Sequence, residues 1–173
     1  MSKIRFFLLF LSFIFCYFES FAQRKGLNET LAEQYFYDMR ADSQSLAAIF
    51  GRYKDSLVYV DFWASWCRPC LDELPHSRDL AQKLAGQPIV FLYLSMDEND
   101  DIWQKTVKKQ PFAANARHYR RGLSAAQPLL AQLLIYAIPH YLLLDKTGKI
   151  INRDATTPSQ KATLKYIRKW LQK

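Results

Sequence analysis

Two cysteines with two residues between them, in the run Trp66-Cys67-Arg68-Pro69-Cys70, are the side chains of this chain best suited to chemistry. A thiolate attacks disulfides and binds soft metals, so a working cysteine must be reachable and its negative charge favoured. Leu57-Val58-Tyr59-Val60-Asp61-Phe62-Trp63 is β-branched and aromatic and reads as a central strand, and a helical period from Pro69 to about Leu84 follows the pair. Cys67 therefore falls at the first turn of a helix, where free backbone N–H groups and the macrodipole favour an anion, and is predicted to be the nucleophile. Cys70, three residues on and on the same helical face, can attack a mixed disulfide formed at Cys67. A purely structural staple is a poorer account, because stabilisation by a disulfide grows with loop length and this loop is tiny.

Other chemistries fit less well. CxxC can be half of a zinc site, but a structural site needs four ligands, and His76, His118 and His140 form neither a close pair nor a partner to a second CxxC. No metal is expected. A copper carrier using both thiols and His140 is an alternative of a different class, and a thiol peroxidase is another. No cofactor is expected beyond a Cys67–Cys70 disulfide.

The elements that position the pair are legible on either side of it. Pro88-Ile89-Val90-Phe91-Leu92-Tyr93-Leu94-Ser95 reads as a second buried strand after the helix, which Pro75 should kink and Gly86 should stop. Asn99 or Asp100 is placed to cap a helix over Trp103 and Val107. Strand, helix, strand, helix suggests a parallel βαβ unit. Residues 110–137, broken by Pro111, Gly122 and Pro128, give only weak helical signals. Tyr141-Leu142-Leu143-Leu144-Asp145, a turn at Lys146-Thr147-Gly148, and Lys149-Ile150-Ile151-Asn152 read as a hairpin. A last helix spans about Ser159 to Leu171 with Ala162, Leu164, Ile167 and Leu171 on its apolar side. Earlier in the chain, Leu27 to Met39 is helix-compatible, as is Leu46 to Phe50 before Gly51.

With 173 residues, of which 50% are hydrophobic and 15% aromatic, the chain can bury a real core, and disorder is excluded. The formal charge of +8 invites a nucleic-acid reading, but the basic residues are scattered and no base-reading motif accompanies them. No nucleic-acid partner is expected. Lys3 and Arg5, the apolar run from Ile4 to Phe18 and then Ser20-Phe21-Ala22 follow the order of a secretory signal peptide. Cleavage is expected after Ala22, an uncleaved anchor being the alternative reading. The expected organisation is a signal peptide over 1–22, an extension over 23–45 and one domain over 46–173. A mature chain outside the cytoplasm would keep only Cys67 and Cys70, in a compartment where disulfides persist.

Asp61-Phe62-Trp63-Ala64-Ser65-Trp66-Cys67-Arg68-Pro69-Cys70 resembles the active-site segment of thioredoxin-like proteins. With Glu73, Pro75 and the export signal, the pattern resembles the TlpA/ResA-type extracytoplasmic branch. Ile138-Pro139 before the hairpin is similar to the family's cis-proline loop. The resemblance covers roughly residues 46–171 and implies an α/β thioredoxin fold: a central mixed sheet flanked by helices, with the cis-Pro loop before a C-terminal hairpin and helix.

It also implies roles. Ile138-Pro139 would be a cis peptide against the disulfide, presenting the Ile138 backbone to an extended client, with Trp66, Arg68 and Pro69 shaping the contact. Asp61 would lie beneath Cys70 as its acid-base partner, burial raising its pKa; the other reading is a strand-end Asp reaching solvent. For Glu73, a role in thiol acid-base behaviour and a solvated helix residue both stand. Arg68 beside Cys67 favours the thiolate while Asp61 and Glu73 oppose it, leaving the sign of their sum open. The implied partners are exported proteins with disulfides, apocytochrome c among them, and a membrane thiol donor of electrons.

Overall fold

In a computed structural model, the chain is described for residues 31–122 and 126–173, with side chains of 126–128 left aside. The signal-peptide reading of 1–22 and the start of the expected Leu27–Met39 helix lie outside the described residues.

The chain runs β1 (Tyr35–Tyr37), β2 (Ser43–Ser45), α1 (Leu46–Gly51), β3 (Leu57–Trp63), α2 (Arg68–Lys83), β4 (Ile89–Ser95), α3 (Asp100–Lys109), β5 (Ala116–Arg121), α4 (Ala126–Leu133), β6 (His140–Leu144), β7 (Ile150–Asn152) and α5 (Lys161–Leu171). Its described strands form one mixed sheet in the order β2-β1-β5-β4-β3-β6-β7. β3 pairs parallel with β4 and antiparallel with β6, and β4 pairs parallel with β5. Every residue of β3 is buried, as an apolar run covered on both faces requires. The strand that delivers the cysteines is thus the most enclosed one.

Several elements match the expectation to within a residue or two, and three differ. Tyr35–Tyr37 is a strand where a helix to Met39 was expected; it pairs antiparallel with β2 and β5, and tertiary pairing overrides a weak helical preference. Ala116–Arg121 is a strand in the stretch where only weak helical signals stood, completing a second parallel crossover. In α5, Ala162 is exposed and Thr163 is buried instead, its hydroxyl donating to the Thr157 carbonyl at 2.6 Å. α2 continues through Pro75 to Lys83, and Asn99 caps α3 by accepting from Ile102 N–H at 2.9 Å.

In register, Asp61 lies opposite Tyr93 on one side and Tyr141 on the other, so all three share a sheet face with Tyr59 two residues earlier. α2 covers that face, since the Ser77 and Tyr93 hydroxyls lie 2.6 Å apart. No helix among the described residues is long and apolar enough to cross a membrane.

Candidate active site

β3 ends at Trp63, and the turn Ala64-Ser65-Trp66 carries the chain into α2, whose N-cap is Cys67. Cys67 and Cys70 are joined by a disulfide. The Cys70 N–H donates to Cys67 Sγ at 3.3 Å, so an orphan donor of the first helical turn points at the sulfur that would carry negative charge on reduction. Both cysteines are buried, Cys67 keeping 5% exposure and Cys70 1%, so Cys67 is the more accessible of the two. Trp66 beside them is 69% exposed. It borders a surface hollow of about 500 Å³ shared with Met96, Glu98, Ile102 and Arg121.

The remaining residues singled out from sequence fall into three groups. Arg68 and Pro69 are exposed, and Arg68 Nε pairs with Asp72 at 3.0 Å one turn on. The Ile138-Pro139 bond is cis and both residues are half-buried, leading into β6 at His140. His140 Nε2 lies 2.6 Å from the Arg153 carbonyl, and His76 is exposed. Among the described residues no three His, Cys, Asp or Glu side chains cluster as metal ligands.

Asp61 and Glu73 form the third group. Asp61 is 2% exposed and neither carboxylate oxygen has a hydrogen-bond partner among the described residues. Burial, and secondarily the charge of Glu73, hold its pKa well above the ordinary carboxylate range. The solvent-reaching reading of Asp61 is thereby displaced. Glu73 is half-buried and accepts from Ser159 N–H at 3.0 Å and from the Ser159 hydroxyl at 2.7 Å, tying α2 to the approach of α5. Burial also pushes the hydroxyls of Tyr59, Tyr93 and Tyr141 up, so the groups around Asp61 stay neutral.

One carboxylate of the site was missed in the sequence. Asp97 is buried and accepts hydrogen bonds from Ser65 and Ser95. An acidic residue two positions past a buried apolar strand was the available signal.

An N-capping cysteine joined to a second one turn on, at the end of a central β3 that pairs with β4 and β6, defines a thioredoxin-like site. The profile of the thioredoxin-like family matches residues 55–150, and the chain belongs to that family. It is 32% identical to a candidate thiol-disulfide oxidoreductase from Bacteroides vulgatus, with a TM-score of 0.67 over 80% of this chain and 86% of that one. It is 23% identical over 117 residues to the thiol-disulfide oxidoreductase ResA of Bacillus thuringiensis subsp. konkukian, covering 68% of this chain and 65% of the relative's length. A thiol-disulfide oxidoreductase from Bacteroides fragilis, 22% identical, shares the fold with a TM-score of 0.62 over 79% of this chain and 98% of its own.

Proposed function

We propose that this chain is a protein thiol-disulfide oxidoreductase working outside the cytoplasm, exchanging, and in its main direction reducing, disulfides of exported client proteins through Cys67 and Cys70. The observation that carries this reading is Cys67 capping α2, disulfide-bonded to the more deeply buried Cys70 beside an exposed Trp66.

In the reduced enzyme the Cys67 thiolate attacks one sulfur of a client disulfide. An S–S bond forms between Cys67 and the client, and the other client sulfur leaves as a thiolate that takes up a proton. Cys70 then gives its proton to the Asp61 carboxylate and attacks Cys67 Sγ, closing the Cys67–Cys70 disulfide and releasing the second client thiolate. Two electrons and, after proton uptake, two hydrogens have passed to the client. Asp61, buried with no competing partner, is suited to that transfer because burial raises its proton affinity. Glu73 acts on Asp61 by its charge.

The client chain lies across Trp66, Arg68 and Pro69 and pairs in extended form with the backbone of Ile138 before Pro139. Clients are exported proteins with disulfides, with apocytochrome c as one candidate, and a membrane thiol protein returns the electrons. The couple itself is the redox group, with no further cofactor. The segment 1–22 directs export and is removed after Ala22, an uncleaved anchor being the alternative; the extension is 23–45, whose β1 and β2 join the sheet of the domain 46–173.

Reduction of insulin disulfides by the wild type, abolished in Cys67→Ser, is the expected result. Tight Cu(I) binding by a wild type inactive on insulin would replace this reading with a carrier, and rapid hydroperoxide consumption would replace it with a peroxidase.

A further inference from the structure

Asp61 and Asp97 are the two buried carboxylates among the described residues, and the scheme above uses only the first. Asp97 directly follows Met96 beyond the end of β4 and is 3% exposed. Its Oδ2 accepts from Ser65 N–H at 2.9 Å and from the Ser95 hydroxyl at 2.6 Å, while Oδ1 accepts from the Ser65 hydroxyl at 2.5 Å. No ion pair reaches it among the described residues. A buried anion without a cation is costly, and donors aimed at both oxygens are what make the position tenable.

Ser65 stands two residues before Cys67, so this carboxylate grips the turn that delivers the nucleophile. The Cys67 N–H closes the other side of that turn on the Ala64 carbonyl at 3.1 Å. Asp97 is itself fixed. Met96 N–H donates to the Trp63 carbonyl at 2.8 Å, and Arg121 Nε from β5 donates to the Met96 carbonyl at 3.0 Å. A chain of hydrogen bonds therefore runs from β5 through the loop after β4 to the residue two before Cys67.

We propose that Asp97 is a positioning residue for thiol exchange: through Ser65 it holds the Ala64–Cys67 turn so that Cys67 Sγ meets an incoming disulfide in line with the bond to be broken. The proposal rests on the oxidoreductase reading of Cys67 and Cys70. Misplacing a reacting atom by about 1 Å can cost on the order of a hundredfold in rate, so a loosened turn is enough to matter. An asparagine can reproduce the grip. With its oxygen facing Ser65 N–H and Ser95, and its NH₂ facing the Ser65 hydroxyl, all three bonds persist without the charge.

The test is the pH profile of insulin reduction by wild type, Asp97→Ala and Asp97→Asn, each checked by near-UV circular dichroism to be folded at the assay temperature. The expected result is a high-pH plateau, where the thiolate is fully formed, lowered about tenfold in Asp97→Ala and kept within about twofold of wild type in Asp97→Asn. A folded Asp97→Ala with the wild-type plateau would overturn the proposal, as would an Asp97→Asn as slow as Asp97→Ala. Should Asp97→Ala not fold, Ser65→Ala takes its place, with an expected loss of about threefold for one hydrogen bond and an unchanged plateau overturning the proposal. A wild type that fails to reduce insulin defeats the oxidoreductase reading itself; an active wild type matched by its variants defeats only the role of Asp97.

Discussion

Two carboxylates lie buried among the described residues, and they have opposite surroundings. Asp97, above the end of β4, is filled on both oxygens by donors from Ser65 and Ser95. Asp61, on the sheet face beneath α2, has neither oxygen partnered among the described residues. Burial is the same to within a percent, 3% against 2%. Burial therefore does not set the role; hydrogen bonding does. A saturated carboxylate is a fixed acceptor that holds backbone, whereas an orphaned one is pushed toward its neutral form and can exchange a proton.

The sharpest way to break this contrast is to remove the group proposed above to exchange a proton with Cys70. Asp61→Asn is expected to slow resolution by Cys70 about a hundredfold near neutral pH, the scale of general acid-base catalysis, read as a longer-lived mixed disulfide in quenched-flow samples. The same variant should be more stable than wild type at neutral pH by about 1–3 kcal/mol, measured by urea unfolding, because folding no longer has to oppose ionisation of a buried, unpartnered carboxyl. The sign follows from linkage. The folded protein holds this proton to higher pH than the unfolded chain, so stability is greatest at low pH and declines as pH rises from the unfolded value toward the raised folded one. Asp61→Asn should flatten that decline.

His118 extends the contrast to a base. It stacks on Tyr93, the strand neighbour of Asp61, with ring centroids 5.3 Å apart, and its Nδ1 has no partner among the described residues. Burial, aided by Arg117, lowers its pKa to about 4. The unfolded chain then binds a proton that the folded one refuses, so stability falls as pH drops from about 6.5 to about 4, by roughly 3 kcal/mol in total. His118→Phe should remove that slope from unfolding midpoints measured across the window, and an unchanged slope would contradict the assignment.

Asp97→Ala should go the other way from Asp61→Asn, losing about 2 kcal/mol in the same urea titration because donors on Ser65 and Ser95 are left without an acceptor. Smallest of all, Arg68→Ala breaks only the exposed pair with Asp72 and should cost less than about 0.5 kcal/mol.

The cysteine-bearing half of the fold was legible because its signals are local. An unbroken apolar run makes β3, a capping residue and a proline-interrupted period make α2, and a Thr-Gly turn marks the β6–β7 hairpin. β5 was not legible: Ala-Arg-His-Tyr-Arg-Arg looks like a basic loop, and only pairing with β4 on one side and β1 on the other makes it a strand. β1 was missed for the same reason. At the site, Asp61 stood out as a lone carboxylate in an apolar strand. Asp97 did not, because Asp97-Glu98-Asn99-Asp100-Asp101 reads as a solvated helix start. Its first member turns inward while Asn99 alone does the capping.

The division of labour between Cys67 and Cys70 is tested most directly by a trap. Reduced Cys70→Ser protein mixed with a disulfide-bonded peptide should accumulate a covalent adduct, and mass spectrometry of its proteolytic fragments should place the link on Cys67. No adduct with Cys70→Ser, or a Cys67→Ser protein that forms one through Cys70 just as fast, would contradict the account.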